Sequence, residues 1–350
     1  MMPGGETLAP TRLQREGLFI DTGAPVTAAV SRGDGVFCAH GDGRVQRFSD
    51  GQPAPRVFQP HDGVVLAMAA ADEQAVVTGG DDGRFVRLAD GGDPEVLAVF
   101  DGQWVDCVAA HVSTGRLACS AGKTVYLWSP GAAQPRTLEH PSTVGGIAFD
   151  PKGRRLAVAH YGGATIWERN QRRWAPTRLA WAGSHVGITW SPGGRFVVSV
   201  MQENALHGWR LRDRMDMRMS GYPGKPKSLD WAGEQPWLVT SGAEGAVCWP
   251  FGAEDGPMGQ VPLCIAQGGA QMASVVLGLP GQEAVMAGYP DGAVLMSKLR
   301  EDADDRVVRG TTGAEVTALA ATSSLSHLLI GDADGGVLWA PLLKSSKSKE

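Results

Sequence analysis

The chain has no run of eighteen apolar residues, so no stretch of it is expected to cross a membrane as a helix. Cysteines are few: five, with no Cys-x-x-Cys pair. Cys107 and Cys119 are spaced to face each other across a hairpin, but reduced, buried thiols in a reducing compartment are the favoured reading. There is no basic excess either. The net charge of −5 argues against a uniformly basic nucleic-acid coat. The first fifteen residues lack an apolar core behind a basic start, so no secretory signal is expected and the cytoplasm is the expected location.

Catalytic signatures are missing as well. No HExxH, GxSxG or GxGxxG stands between a strand and a helix. Gly122-Lys123-Thr124 imitates the end of a phosphate-binding loop, but such a loop needs Gly five residues earlier, where Leu117 stands. The cysteines fall inside expected strands, where a buried thiol is inert. The chain is therefore read as non-enzymatic, with no catalytic residue, no cofactor and no resident metal.

What is abundant is glycine. Forty-eight of 350 residues is about 14%, roughly twice ordinary usage, without a collagen period. So many glycines imply many tight turns and many short strands. The turns fall at regular places. One unit recurs: an apolar run, a turn, a second run, a Gly-containing turn, and a third run closing on a large residue. The clearest copies run from Val144 to Trp167 and from Val186 to Trp209. Closing residues stand at Phe48, Leu88, Trp128, Trp167, Trp209, Trp249, Ser297 and Trp339, spaced by 39 to 48 residues. The mean of about 42 is the length of a four-stranded propeller blade. Asp-Gly and Gly-Gly at the second turn supply the positive φ that short hairpins need, as at Asp81-Asp-Gly83 and Asp334-Gly-Gly336.

A weaker strand precedes each unit, as at Pro55 to Gln59, Glu95 to Phe100 and Arg306 to Arg309. The first, Gly17 to Asp21, precedes any complete unit, and the last unit stops after its third strand. The expected fold is therefore all-β: a single propeller of eight four-stranded blades by repeat count, with seven as the alternative. Its ring is closed by the N-terminal strand, which leaves no open edge. Residues 1–16 are expected to be a flexible N-terminus, 17–343 the propeller, and 344–350 a disordered polar tail.

The turn–strand–turn–strand–Trp pattern over residues 17 to 343 resembles the WD40 propeller family. In that family a His before the first strand, a Ser or Thr in the second, an Asp in the second turn and the Trp form one hydrogen-bonded set. Here His185, Ser199, Glu203 and Trp209 come nearest, and His61, Thr78 and Asp82 are followed by Leu88. The phrases Leu156-AVAHYGG163, Gln202-ENALHGW209 and Met219-SGYP223 resemble small single-domain bacterial members. The resemblance implies a protein–protein interaction scaffold. A second reading is a metal- or ligand-handling accessory working with a metal-chaperone GTPase, and a third is an enzyme with a central-channel site.

In such a blade, the connection into the first strand and the turn after the second share one face, here called upper. On blades 4 to 6 this face is expected to gather His160, Tyr161, His185, Gln202, Glu203, Asn204, Tyr222 and Lys225 as contacts for a protein or peptide. His140, His160 and His185 are spaced to approach one another, but structural histidines are favoured over a metal site. The lower face is expected to be basic. From Lys152 to Lys227 there are 14 Lys and Arg against 4 Asp and Glu. Its cations are Lys152, Arg154, Arg155, Arg169, Arg172, Arg173, Arg195, Arg210, Arg212 and Arg214. Without interleaved aromatics they suit an acidic protein better than nucleic acid. A monomer is the expected state.

Overall fold

A computed structural model describes residues 10–170, 173–279 and 281–342. Each repeat unit is an antiparallel meander. Unit 1 runs through Val26–Arg32, Gly35–His40, Val45–Ser49 and Arg56–Phe58, each strand paired with the next. Its second strand is buried along its whole length, as are Ala75–Gly80, Phe196–Met201 and Ala205–Arg210. Strands covered on both faces explain the near-continuous apolar runs in the sequence.

The core is divided among the seams between neighbouring units. Phe37 and Val45 of unit 1 meet Val76 and Leu88 of unit 2. Phe196 and Leu206 of unit 5 meet Leu238 and Phe251 of unit 6. Each fully buried side chain of this size contributes about 1.5–3 kcal/mol. The fold is thus stabilised seam by seam.

Among the described residues, hydrogen bonding groups the strands into seven sheets, the alternative number: six of four strands and one of six. The six-stranded sheet carries units 4 and 5 together. Its strand Arg155–Asn170 folds back on itself, since the Arg169 N–H donates to the Arg154 carbonyl at 3.0 Å. Gly162 and Gly163, at φ 86° and 133°, make the reversal. Strand Arg173–Trp190 pairs by its first half with unit 4 and by its second half with Phe196–Met201. Eight repeat units therefore occupy seven sheets, because the one strand Arg173–Trp190 runs on from unit 4 into unit 5.

Strand Leu18–Asp21 pairs with Gly336–Pro341, Leu18 opposite Trp339, and so supplies the outer strand of unit 8. Nearer the axis, Thr317 Oγ1 donates to the Val26 carbonyl at 2.7 Å, joining the innermost strands of units 8 and 1.

The expectation of a flexible segment through residue 16 needs correction. Arg12–Glu16 is a short helix with a capping box: Thr11 Oγ1 accepts from Gln14 N and Gln14 Oε1 accepts from Thr11 N. Thr11 Oγ1 donates to the Val308 carbonyl at 2.8 Å, and the Gly310 N–H donates to Gln14 Oε1 at 3.1 Å. Gly17 then passes so close that a Cβ would meet Ala340 Cβ at 2.7 Å. The tail expected at 344–350 lies outside the described residues. No helix among them is long and apolar enough to cross a membrane.

Candidate functional site

Hydrogen bonds within the blades position four of the eight histidines. In unit 2, His61 Nδ1 bonds Asp82 Oδ1 and Nε2 bonds Thr78 Oγ1, both at 2.9 Å. In unit 5, His185 bonds Ser199 Oγ at 2.7 Å and the Trp181 carbonyl at 3.1 Å. Glu203 serves the backbone instead, accepting from Ser184 N at 3.0 Å. In unit 4, Trp167 donates its indole N–H to His140 Nε2 at 3.0 Å, and His160 bonds Thr165 Oγ1 and the Tyr161 carbonyl, each at 2.9 Å. Burial lowers the pKa of all four imidazoles, that of His140 to about 4. They are neutral at pH 7.

These bonds decide the histidine cluster. The rings of His140 and His160 lie 5.9 Å apart, yet every ring nitrogen of His140, His160 and His185 already has a partner. Among the described residues no group of three His, Cys, Asp or Glu is arranged to hold a metal ion. The five thiols are free. Cys107 pairs across the hairpin with Ser120, one residue out of register with Cys119.

Tyr222 differs most from expectation. It is 8% exposed, and its hydroxyl meets Thr240 Oγ1 and the indole N–H of Trp249, each at 2.7 Å. It occupies the place of the blade histidine, so it is a core residue and not a surface anchor. His160 and His185 are likewise buried, at 4% and 2% exposed. Asn204 takes φ 52°, a left-handed turn position that Asn tolerates, which explains that residue without a ligand.

Of the expected set the upper face exposes Tyr161, at 67%, together with Glu203, Asn204 and Gln202, whose Oε1 accepts from Lys225 Nζ at 3.0 Å. Two exposed side chains there were not singled out from the sequence. Trp104 is 64% exposed on the connection into unit 3, beside the second turn of unit 2. Met272, 44% exposed, stands on the connection into unit 7. A large apolar residue on a connection between strands was the available signal. Beside Met272 lies a hollow of about 620 Å³ lined by Gly224, Lys225, Lys227, Asp291 and Glu315.

The central channel has a pocket of about 580 Å³ walled by the innermost strands of units 1, 6, 7 and 8. Asp230 is its one ionisable lining residue. Its carboxylate accepts from Trp231 N at 2.8 Å and Gly278 N at 2.9 Å, and burial raises its pKa. No histidine or second carboxylate joins it in that lining.

The lower-face cations divide. Arg155 pairs with buried Asp150 at 3.0 Å. Arg210 bonds Asp213 at 2.7 Å and also Asp255, while Arg212 bonds Glu254. Arg195 donates to the Phe251 and Gly252 carbonyls at 3.3 and 3.2 Å. The charge count did not anticipate these pairings: Arg155 is held by a carboxylate of its own unit, Arg195 by backbone carbonyls, and Arg210 and Arg212 by carboxylates that include those of the unit 6 connection. Lys152, Arg154, Arg169, Arg173 and Arg214 are exposed and make no ion pair among the described residues. Arg172 lies outside those residues.

No family model matches the chain, and no curated protein matches it. Solved structures do. The computationally designed Ika8 protein is similar at TM-score 0.72 and 16% identity, over 92% of this chain and 97% of that one. The WD40 repeats of RRP9 match at TM-score 0.63 and 15% identity, over 97% and 100%. U3-55K matches at TM-score 0.62 and 15% identity, over 95% and 100%.

Proposed function

We propose, from the WD40-type propeller fold of this chain, that it is a non-catalytic scaffold holding a protein or peptide segment on its upper face. The exposure of Trp104 and Tyr161 on that face carries the reading. Elsewhere the blade turns are short and filled with Gly and Asp, which hairpin geometry alone explains. Two ring side chains left in solvent are not needed by any turn. Tyr and Trp offer large apolar area with little rotamer entropy to lose, which makes them common interface anchors. Met272, Lys225 and the adjoining hollow extend the surface toward units 6 and 7. Partner contacts thus centre on the exposed side chains of the originally expected set, with Trp104 added, and not on the buried His160, His185 and Tyr222.

Co-purification from the native cell, followed by titration of each recovered protein, is the test. Trp104→Ala with Tyr161→Ala is expected to weaken a direct partner by about 2 kcal/mol or more, some thirtyfold, with little change in melting temperature. Unchanged affinity for every direct partner would refute the assignment.

A further inference from the structure

On the lower face, unit 5 shows how this protein holds an acidic segment. Three arginines of that unit grip one stretch of the unit 6 connection. Arg195 takes the Phe251 and Gly252 carbonyls, Arg212 takes Glu254, and Arg210, 6% exposed, takes Asp255. Adjacent carboxylates on an irregular stretch of chain are matched by guanidinium groups from neighbouring strand connections. Guanidinium suits this task because its planar fork fits carboxylates and it is weakly hydrated.

The neighbouring unit 4 carries the same kind of surface, and four of its cations have no ion-pair partner among the described residues. Lys152 and Arg154 stand on the turn between its first and second strands, Arg169 and Arg173 on the hairpin between its third and fourth. The two connections are adjacent, since Arg169 N bonds the Arg154 carbonyl. All four side chains are exposed, and no described carboxylate lies within 4.0 Å of their charged groups. The nearest buried carboxylate, Asp150, is committed to Arg155. Beneath them Arg116, 7% exposed, donates to the Gly153 carbonyl at 2.8 Å and leaves its Nε without a partner. Burial lowers the pKa of Arg116, and the charge of Arg169 lowers it further. Cations outnumber carboxylates here: Asp150 opposes the shift on Arg116 but is paired with Arg155, and Glu168 alone stands among the exposed cations.

We propose that the unit 4 surface binds an acidic protein segment from outside, through adjacent carboxylates set against Arg154, Arg169 and Arg173. Nucleic acid fits less well. The exposed cations are interleaved with Glu168 and Asn170, not with open rings on which bases stack.

The test is fluorescence anisotropy at several salt concentrations with two labelled probes: a peptide of Glu-Asp pairs separated by Gly-Ser, and a twelve-nucleotide thymidine strand. The peptide is expected to bind the wild type more tightly than the DNA does, with affinity falling as salt rises. Arg169→Glu with Arg173→Glu should weaken it at least tenfold at an unchanged melting temperature. If that variant melts early, Lys152→Gln with Arg154→Gln replaces it, and a loss of at least threefold is expected. No peptide binding by the wild type, or equal binding by a folded variant, overturns the proposal. DNA binding as tight as the peptide's overturns it in favour of nucleic acid.

Discussion

Trp249 donates its indole N–H to the hydroxyl of Tyr222 at 2.7 Å, and that hydroxyl meets Thr240 Oγ1 at the same distance. Unit 2 does comparable work with His61 between Thr78 and Asp82. Tyr222→Phe should therefore strand the buried indole N–H of Trp249 and leave Thr240 Oγ1 with only the Val247 carbonyl. A loss of about 1–3 kcal/mol in denaturant unfolding is expected, with no change in partner affinity. Lost affinity at unchanged stability would make Tyr222 a contact residue instead.

The ring closure makes a second expectation. Deleting residues 1–22 removes the strand that covers Gly336–Pro341 and leaves both an open edge and a broken seam. The melting temperature should fall by several degrees and the protein should self-associate on a sizing column. Deleting residues 1–16 keeps that strand and removes the capped helix, so a smaller loss is expected, about 1–2 kcal/mol. A protein lacking residues 1–22 that melts with the full-length chain would show that the closure is dispensable.

The parts legible in the sequence are those fixed by neighbours along the chain. Turn residues such as Asp81-Asp-Gly83 and the closing residues of the third strands marked the units because hairpin geometry is local. The set of His61, Thr78 and Asp82 was readable because it lies within one unit. What escaped depends on contacts between units or on which side of a seam a ring falls. Glu254 and Asp255 reach Arg212 and Arg210 across more than forty residues, and no charge count anticipates that pairing. Tyr222 looks the same in sequence whether it replaces a blade histidine or projects into solvent. Nothing local in the sequence distinguishes a packed Trp104 from an exposed one, and the folded neighbours leave it 64% exposed. Thr11 and Gln14 did carry a local signal, but a five-residue helix is too short to show a periodicity.

His207 gives a pH dependence. The ring is fully buried, stacked on Trp181 with centroids 3.9 Å apart, edge-on to Trp209, and neither nitrogen has a hydrogen-bond partner. Asp216 on the next strand is 3.9 Å away, too far for a hydrogen bond, and the charges of His185 and Arg218 oppose protonation. Burial is the larger cause and brings the pKa down to about 4 from an ordinary 6.5. The folded protein then binds fewer protons than the unfolded chain between those values. Stability is complete above pH 6.5 and declines as pH falls toward 4, by on the order of 3 kcal/mol for this group. His207→Phe should flatten that decline and raise stability at pH 5. An identical pH profile in the variant would assign the acid sensitivity elsewhere.

Arg309 and Asp332, 2% and 4% exposed, face each other at 3.5 Å across the seam of units 7 and 8. Burial lowers the arginine's pKa and Asp332 opposes that. Asp332→Asn keeps the acceptor for Gly336 N but leaves a buried cation unpaired, and should cost about 3 kcal/mol or more. Adding Arg309→Met should restore part of it. With Arg309→Met also measured alone, losses that simply add in the double variant would show that the two residues act independently, a result read from the urea midpoints.

Leu18 has no strand partner until Trp339 has been synthesised, because the two are opposite each other in the last sheet to be completed. During translation the growing chain therefore holds its first strand in reserve while unit after unit stacks behind it. A partly built ring exposes an apolar flank at each end: one that the next unit covers, and that of Val26 and Phe48 in unit 1, which only unit 8 covers. The interval between the emergence of unit 1 and the docking of Leu18–Asp21 is the period of greatest exposure to misassociation, and it lengthens whenever elongation pauses in the later units.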